Sequence, residues 1–170
     1  MAHAHLQGFH KKLTFTLTKT TVTGLVVMDV DSGDRCTVLR QGADANGDGL
    51  LQGAEVTALK ERLASMAAKT LKLSISGAAI AVAVKETKLS LREDPRVGEA
   101  GLSVAVLIEL THPHPVSEGM TFEVTDTSPD LSPVLVHVFQ AAAKGAPPEA
   151  PFQGEVESGK TVKVRLGRLP

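Results

Sequence analysis

Hydrophobic residues alternate with polar ones at the start of the chain, move to helical spacing in a middle segment, and then return to alternation. Over residues 12–19, Leu13, Phe15 and Leu17 alternate with threonines, the period-two pattern of a half-buried strand. Thr20 and Thr21 make a turn, and Val22, Leu25, Val26, Val27 and Val30 predict a second strand over 21–30. Asp31-Ser32-Gly33 ends it, and Ser32 or Asp34 is placed to cap a short helix running to about Gln41. From Gly53 to about Lys69 the apolar residues Val56, Leu59, Leu63, Met66 and Ala67 recur at spacings of three and four. That is one helical stripe, and it reads as a surface for packing on a sheet. Alternation resumes with Leu71, Leu73 and Ile75, and residues 79–91 form one bent strand or two. After a charged loop over 92–99, strands are predicted at 102–110, 120–124, 133–139 and 161–166. Pro113 and Pro115 interrupt any ladder between the first two of these, because proline has no N–H to donate. Residues 141–151, rich in Ala, Gly and Pro, read as a loop. The expectation is a mainly β chain: a single antiparallel β-sandwich domain, residues 1–170, of seven to eight strands. A helical insertion over residues 31–69 falls between the second and third strands.

Within that insertion, residues 44–55 read Asp-Ala-Asn-Gly-Asp-Gly-Leu-Leu-Gln-Gly-Ala-Glu. Every defined position of the twelve-residue EF-hand calcium loop is matched. Calcium takes six to eight oxygens, and this loop class delivers them from positions 1, 3, 5, 7, 9 and 12. The candidate ligands are therefore Asp44, Asn46, Asp48, the backbone carbonyl of Leu50, Gln52 and Glu55. Gly49 falls at the sixth position, where the chain turns sharply. Asn, Asp and Gly are also ordinary turn formers. A turn alone explains neither Glu55 at its distance nor the helix that follows. The incoming helix is the weaker half, with Arg40 and Ala43 where large apolar groups would be expected and Gly42 loosening the helix just before the loop.

Composition narrows the function. Aromatic residues make up only 3% of the chain, with no Trp or Tyr, which removes the usual means of stacking bases or sugar rings. A formal charge of −1 gives no electrostatic case for nucleic acid or an anionic membrane. The lone Cys36 excludes an intrachain disulfide and a cysteine metal site, and reads as a buried or incidental thiol. No stretch approaches the ~20 apolar residues of a membrane helix. Residues 1–20 lack a signal-peptide pattern as written, although Ala2-His3-Ala4-His5 looks like what remains after a leader is cut away.

The order strand, strand, short helix, calcium-type loop, helix, strands resembles a group of bacterial exported domains. These are the extracytoplasmic segments associated with HupE/UreJ-like nickel/cobalt permeases. The matching positions are His3 or His5, the strand at 13–17, and Asp44, Asn46, Asp48, Gly49 and Glu55, within about residues 3–140. The resemblance implies a calcium-bearing sandwich domain outside the cytoplasm, in the periplasm or cell envelope, with a permease or other envelope protein as partner. Dockerins use similar loops, but in two copies, and only one is present here.

The remaining chemistry lies in histidines. His3 with His5, and His112 with His114, each place two imidazoles on one side of an extended chain, a pattern that suits nickel, cobalt, copper or zinc. A plain terminus and a proline-rich turn account for the same residues, and His137 reads as a structural strand residue. No Gly-x-Ser-x-Gly elbow or His-Glu-x-x-His helix is present. The expectation is a non-enzymatic domain with a mainly structural calcium ion. The alternatives are a transition-metal handling domain using the histidine pairs, and an adhesion or protein-interaction sandwich.

Overall fold

The computed structural model describes residues 9–112, 114–128 and 133–170. The described residues are mainly β, with two sheets and two helices. They open with β1 (Phe9–Leu17) and β2 (Val22–Val30), an antiparallel hairpin whose turn is held by Thr18. The Thr18 hydroxyl oxygen accepts the backbone N–H groups of Thr20 and Thr21, a local side-chain bond that favours a turn over further strand. Helices α1 (Asp34–Gln41) and α2 (Ala54–Lys69) follow. Next come β3 (Leu71–Ile75), the two-residue β4 (Ala78–Ala79), β5 (Ala81–Ser90) and β6 (Leu102–Thr111). The chain continues through β7 (Thr121–Asp126), β8 (Val134–Gln140), β9 (Glu149–Val156) and β10 (Thr161–Arg165).

The strands divide into a six-stranded sheet in the order β5-β6-β2-β1-β8-β9 and a four-stranded sheet in the order β10-β7-β3-β4. Period-two burial decides which faces meet. Leu13, Phe15 and Leu17 of β1, Val26 and Val30 of β2, and Phe122 and Val124 of β7 belong to one continuous core. Phe15 of the larger sheet meets Phe122 of the smaller one edge-on, with ring centroids 5.3 Å apart. Helix α2 extends that core by packing on β5 and β6 through Leu59, Leu63 and Ala67, which are buried, while Met66 at the margin of the stripe is 41% exposed. The helical stripe is thus a packing surface, as its spacing predicts.

Several details differ from the sequence reading. The described residues form ten strands, and β1 pairs in parallel with β8, so the larger sheet is not wholly antiparallel. The segment 79–91 divides between sheets: β4 pairs with β3, whereas β5 pairs with β6 across a bulge between Val84 and Glu86. Residues 149–151, read as loop, begin β9. Proline is tolerated there because β9 is the edge of its sheet, where one row of N–H groups needs no partner. Neither predicted cap residue caps α1. Gly33 occupies the N-cap without a side-chain bond, and the Ser32 hydroxyl instead accepts the Gly101 N–H at 3.2 Å. No helix among the described residues is long and apolar enough to cross a membrane.

Candidate metal centre

The loop between α1 and α2 is folded by its own carboxylates. Asp44 accepts the N–H of Gly47 at 2.8 Å through one oxygen and that of Gly49 at 3.0 Å through the other. Asn46 accepts from the Asp48 N–H, and Asp48 accepts from the Leu50 N–H, each at 2.8 Å. Gly49 has φ +79°, the left-handed conformation that a side chain disfavours. Four of the six predicted ligands, Asp44, Asn46, Asp48 and Glu55, thus face the same short run of backbone. Glu55, in the first turn of α2, reaches back so that Oε1 accepts from Ala45 at 2.9 Å and Asn46 at 3.3 Å, while Oε2 accepts from Gln52 at 3.3 Å. An acidic group in a first helical turn is also favoured by the exposed N–H dipoles there.

Leu50 is held by a segment that sequence reasoning did not connect to it. Leu50 forms an antiparallel bridge with Arg96: the Leu51 N–H donates to the Pro95 carbonyl at 2.7 Å, and the Val97 N–H to the Gly49 carbonyl at 2.8 Å. In such a bridge the flanking residues make the bonds, so the N–H and C=O of Leu50 point away from Arg96. Its N–H indeed meets Asp48 within the loop. The Leu50 carbonyl is therefore turned away from the bridging segment, to the same side as its own N–H. Leu51, 2% exposed, anchors the bridge in the core.

The partner segment, residues 91–101, is itself fastened by Arg40. The Arg40 side chain is fully buried, and its guanidinium donates to the carbonyls of Leu91, Asp94, Arg96, Ala100 and Gly101. By sequence alone Arg40 stands where the incoming helix of a calcium loop expects an apolar group. It is instead the strut that holds the bridging segment against α1, a use that only a planar fork of five donors allows. Outside this clamp, Arg96 binds the Asp94 carboxylate through Nε at 2.8 Å and Nη2 at 2.9 Å. These hydrogen bonds hold the Asp94 pKa down to about 2.

No protein-family model and no curated protein matches this chain. The residues themselves must carry the functional reading. Asp44, Asp48, Glu55, the Asn46 amide and the Leu50 carbonyl are hard oxygen donors in the calcium-loop order, which fits calcium and not a softer metal. Among the described residues, no three His, Cys, Asp or Glu side chains converge as a metal-holding group. Carboxylate oxygens of Asp44, Asp48 and Glu55 are engaged by loop N–H groups. Gln52 is exposed at the loop rim.

The other candidate groups lie elsewhere. His3 and His5 fall outside the described residues. His112 and His114 are neighbours, with ring centroids 6.1 Å apart, but His112 Nδ1 is taken up by the His114 backbone. His137 lies in β8, where burial first and the nearby Lys12 second lower its pKa. Cys36 is buried against the carbonyls of Val30 and Asp31, and burial raises the thiol pKa. That is the setting of an unreactive core thiol.

Proposed function

We propose that this chain is a non-enzymatic calcium-binding domain, a β-sandwich in which one ion ties the 31–69 insertion to the sheets. The observation that supports it most is the Leu50–Arg96 bridge, because it turns the Leu50 carbonyl away from Arg96, to the side on which the Leu50 N–H meets Asp48. An EF-hand sensor works by opening two helices around its loop. Here α1 is short and clamped by Arg40, so the ion has a structural role. The setting is extracytoplasmic, where calcium modules bind at about 10⁻⁴–10⁻³ M, and the domain is accessory to an envelope protein such as a permease.

Saturation to ten times the dissociation constant would stabilise the fold by roughly 1.4 kcal/mol. For a chain of this size that is a rise of about 3–6 °C in the melting temperature. Thermal melts with calcium, with magnesium and with chelator test the reading. The calcium rise should be absent in Asp44→Ala and Glu55→Gln. Identical melts in calcium and chelator, or an undiminished rise in both variants, would refute it.

A further inference from the structure

Lys11 of β1 and Asp126, the last residue of β7, face each other across the gap between the two sheets. Their side chains are 1% and 5% exposed, and Lys11 Nζ lies 2.5 Å from Asp126 Oδ2. The two groups form a short, buried ion pair. The other oxygen, Oδ1, accepts the Ser128 N–H at 2.7 Å. Two hydroxyls complete the enclosure: Thr70 Oγ1 at 2.9 Å and Ser128 Oγ at 3.2 Å from Nζ, themselves 2.9 Å apart.

We propose that Lys11 and Asp126 condense into an intramolecular amide that covalently joins the two sheets. The surroundings supply each requirement of that reaction. Two opposite charges removed from water are costly even when paired. At Lys11 the desolvation outweighs the attraction of Asp126, so its pKa is lowered. Transfer of one proton from Nζ to Oδ2 gives a neutral amine and a carboxylic acid without changing the net charge. The nitrogen lone pair then attacks Cγ, forming the Cγ–Nζ bond and moving the carbonyl electrons onto Oδ1. The Ser128 N–H is already aimed at that oxygen, as a donor stabilising developing negative charge must be. The intermediate collapses by breaking the Cγ–Oδ2 bond. Oδ2 leaves as water, carrying its own proton and a second taken directly from Nζ, with which it is in contact. No oxidant or cofactor is needed. Fixed reactants at contact distance can reach effective concentrations on the order of 10⁵–10⁸ M, which offsets the weak reactivity of an unactivated acid.

Intact-mass measurement of the denatured full chain tests this directly. The expected mass is lower than the sequence mass by one water, and trypsin should release a branched peptide joining Lys11 to Asp126. Lys11→Arg keeps the positive charge but cannot condense, so it should have its full mass, as should Asp126→Ala. The full sequence mass in the unaltered chain overturns the proposal without reference to any variant. So does a water loss that persists in both variants, as ring closure at Asp48-Gly49 would give.

Discussion

Replacing Arg40 with methionine keeps an unbranched apolar body in the site and removes the fork that fastens residues 91–101. Five carbonyls lose their donor at once, and the bond to Gly101 is buried, whereas the other four are only partly so. A buried acceptor left without a partner costs about 1–3 kcal/mol. The partly buried carbonyls can rehydrate once the segment loosens, so one or two of the five carry most of the cost. Removing a cation from a dry site works the other way, because its desolvation is no longer needed. With two acceptors at about 2 kcal/mol each and an offset of up to about 2 kcal/mol deducted for the cation, Arg40→Met should lose about 2–4 kcal/mol. For this chain length the melting temperature should fall by about 4–16 °C. Urea unfolding with an unchanged denaturant slope is the assay. Calcium titration of the same variant should show weaker binding, since the Leu50–Arg96 bridge is supported from behind by this residue. A loss below about 1 kcal/mol, within the range of ordinary surface substitutions and their near neighbours, would refute the role assigned to the guanidinium.

Other outcomes follow from single positions. Gly24→Ala would place a Cβ 2.7 Å from Ile108 Cγ1 and 3.1 Å from Phe15 Cδ1; overpacking of that kind costs about 1–3 kcal/mol, and an unchanged urea midpoint would show that the sheet adapts freely. At Gly49, φ is +79° with no atom within 4 Å of a built Cβ, so Gly49→Ala should lose about 1–2 kcal/mol from backbone strain alone, and an unchanged melt in chelator would contradict this. The Asp94 pKa is depressed to about 2 by Arg96, so this contribution to stability is present above the ordinary carboxylate value and is lost as pH falls through about 2. A carboxyl-carbon NMR titration should find Asp94 still ionised at pH 3 and returned toward its ordinary value in Arg96→Ala; ordinary titration of the unaltered chain would remove the ion pair from the argument.

Local signals in the chain translated well. Leu13, Phe15 and Leu17 alternate in sequence and are all buried, and Leu59, Leu63 and Ala67 form the buried stripe of α2. The turn over 44–55 is local in the same way, since Asp44, Asn46, Asp48 and Glu55 accept backbone N–H groups from within those same twelve residues. What escaped was non-local or specific to an edge. Nothing near residue 50 indicates that Pro95 and Val97 will hydrogen-bond to its neighbours. Arg40 looks misplaced until five distant carbonyls converge on it. Lys11 falls just ahead of the strand expected over residues 12–19, yet β1 begins at Phe9 and its inward period includes residue 11. Strand β9 carries Pro151 and Gly154, which depress strand propensity everywhere except at a border position such as this one.

The parallel contact between β1 and β8 bears on how the chain is made. One flank of β1 is closed by β2 through a tight turn, but its other flank waits for Leu135 to Gln140. During synthesis that second flank is an open row of backbone donors and acceptors from the moment the hairpin leaves the ribosome, and such rows recruit other chains. Pairings this distant in sequence also form slowly. The nascent hairpin is therefore where a holding chaperone would do most good, and where crowded expression would first produce aggregates.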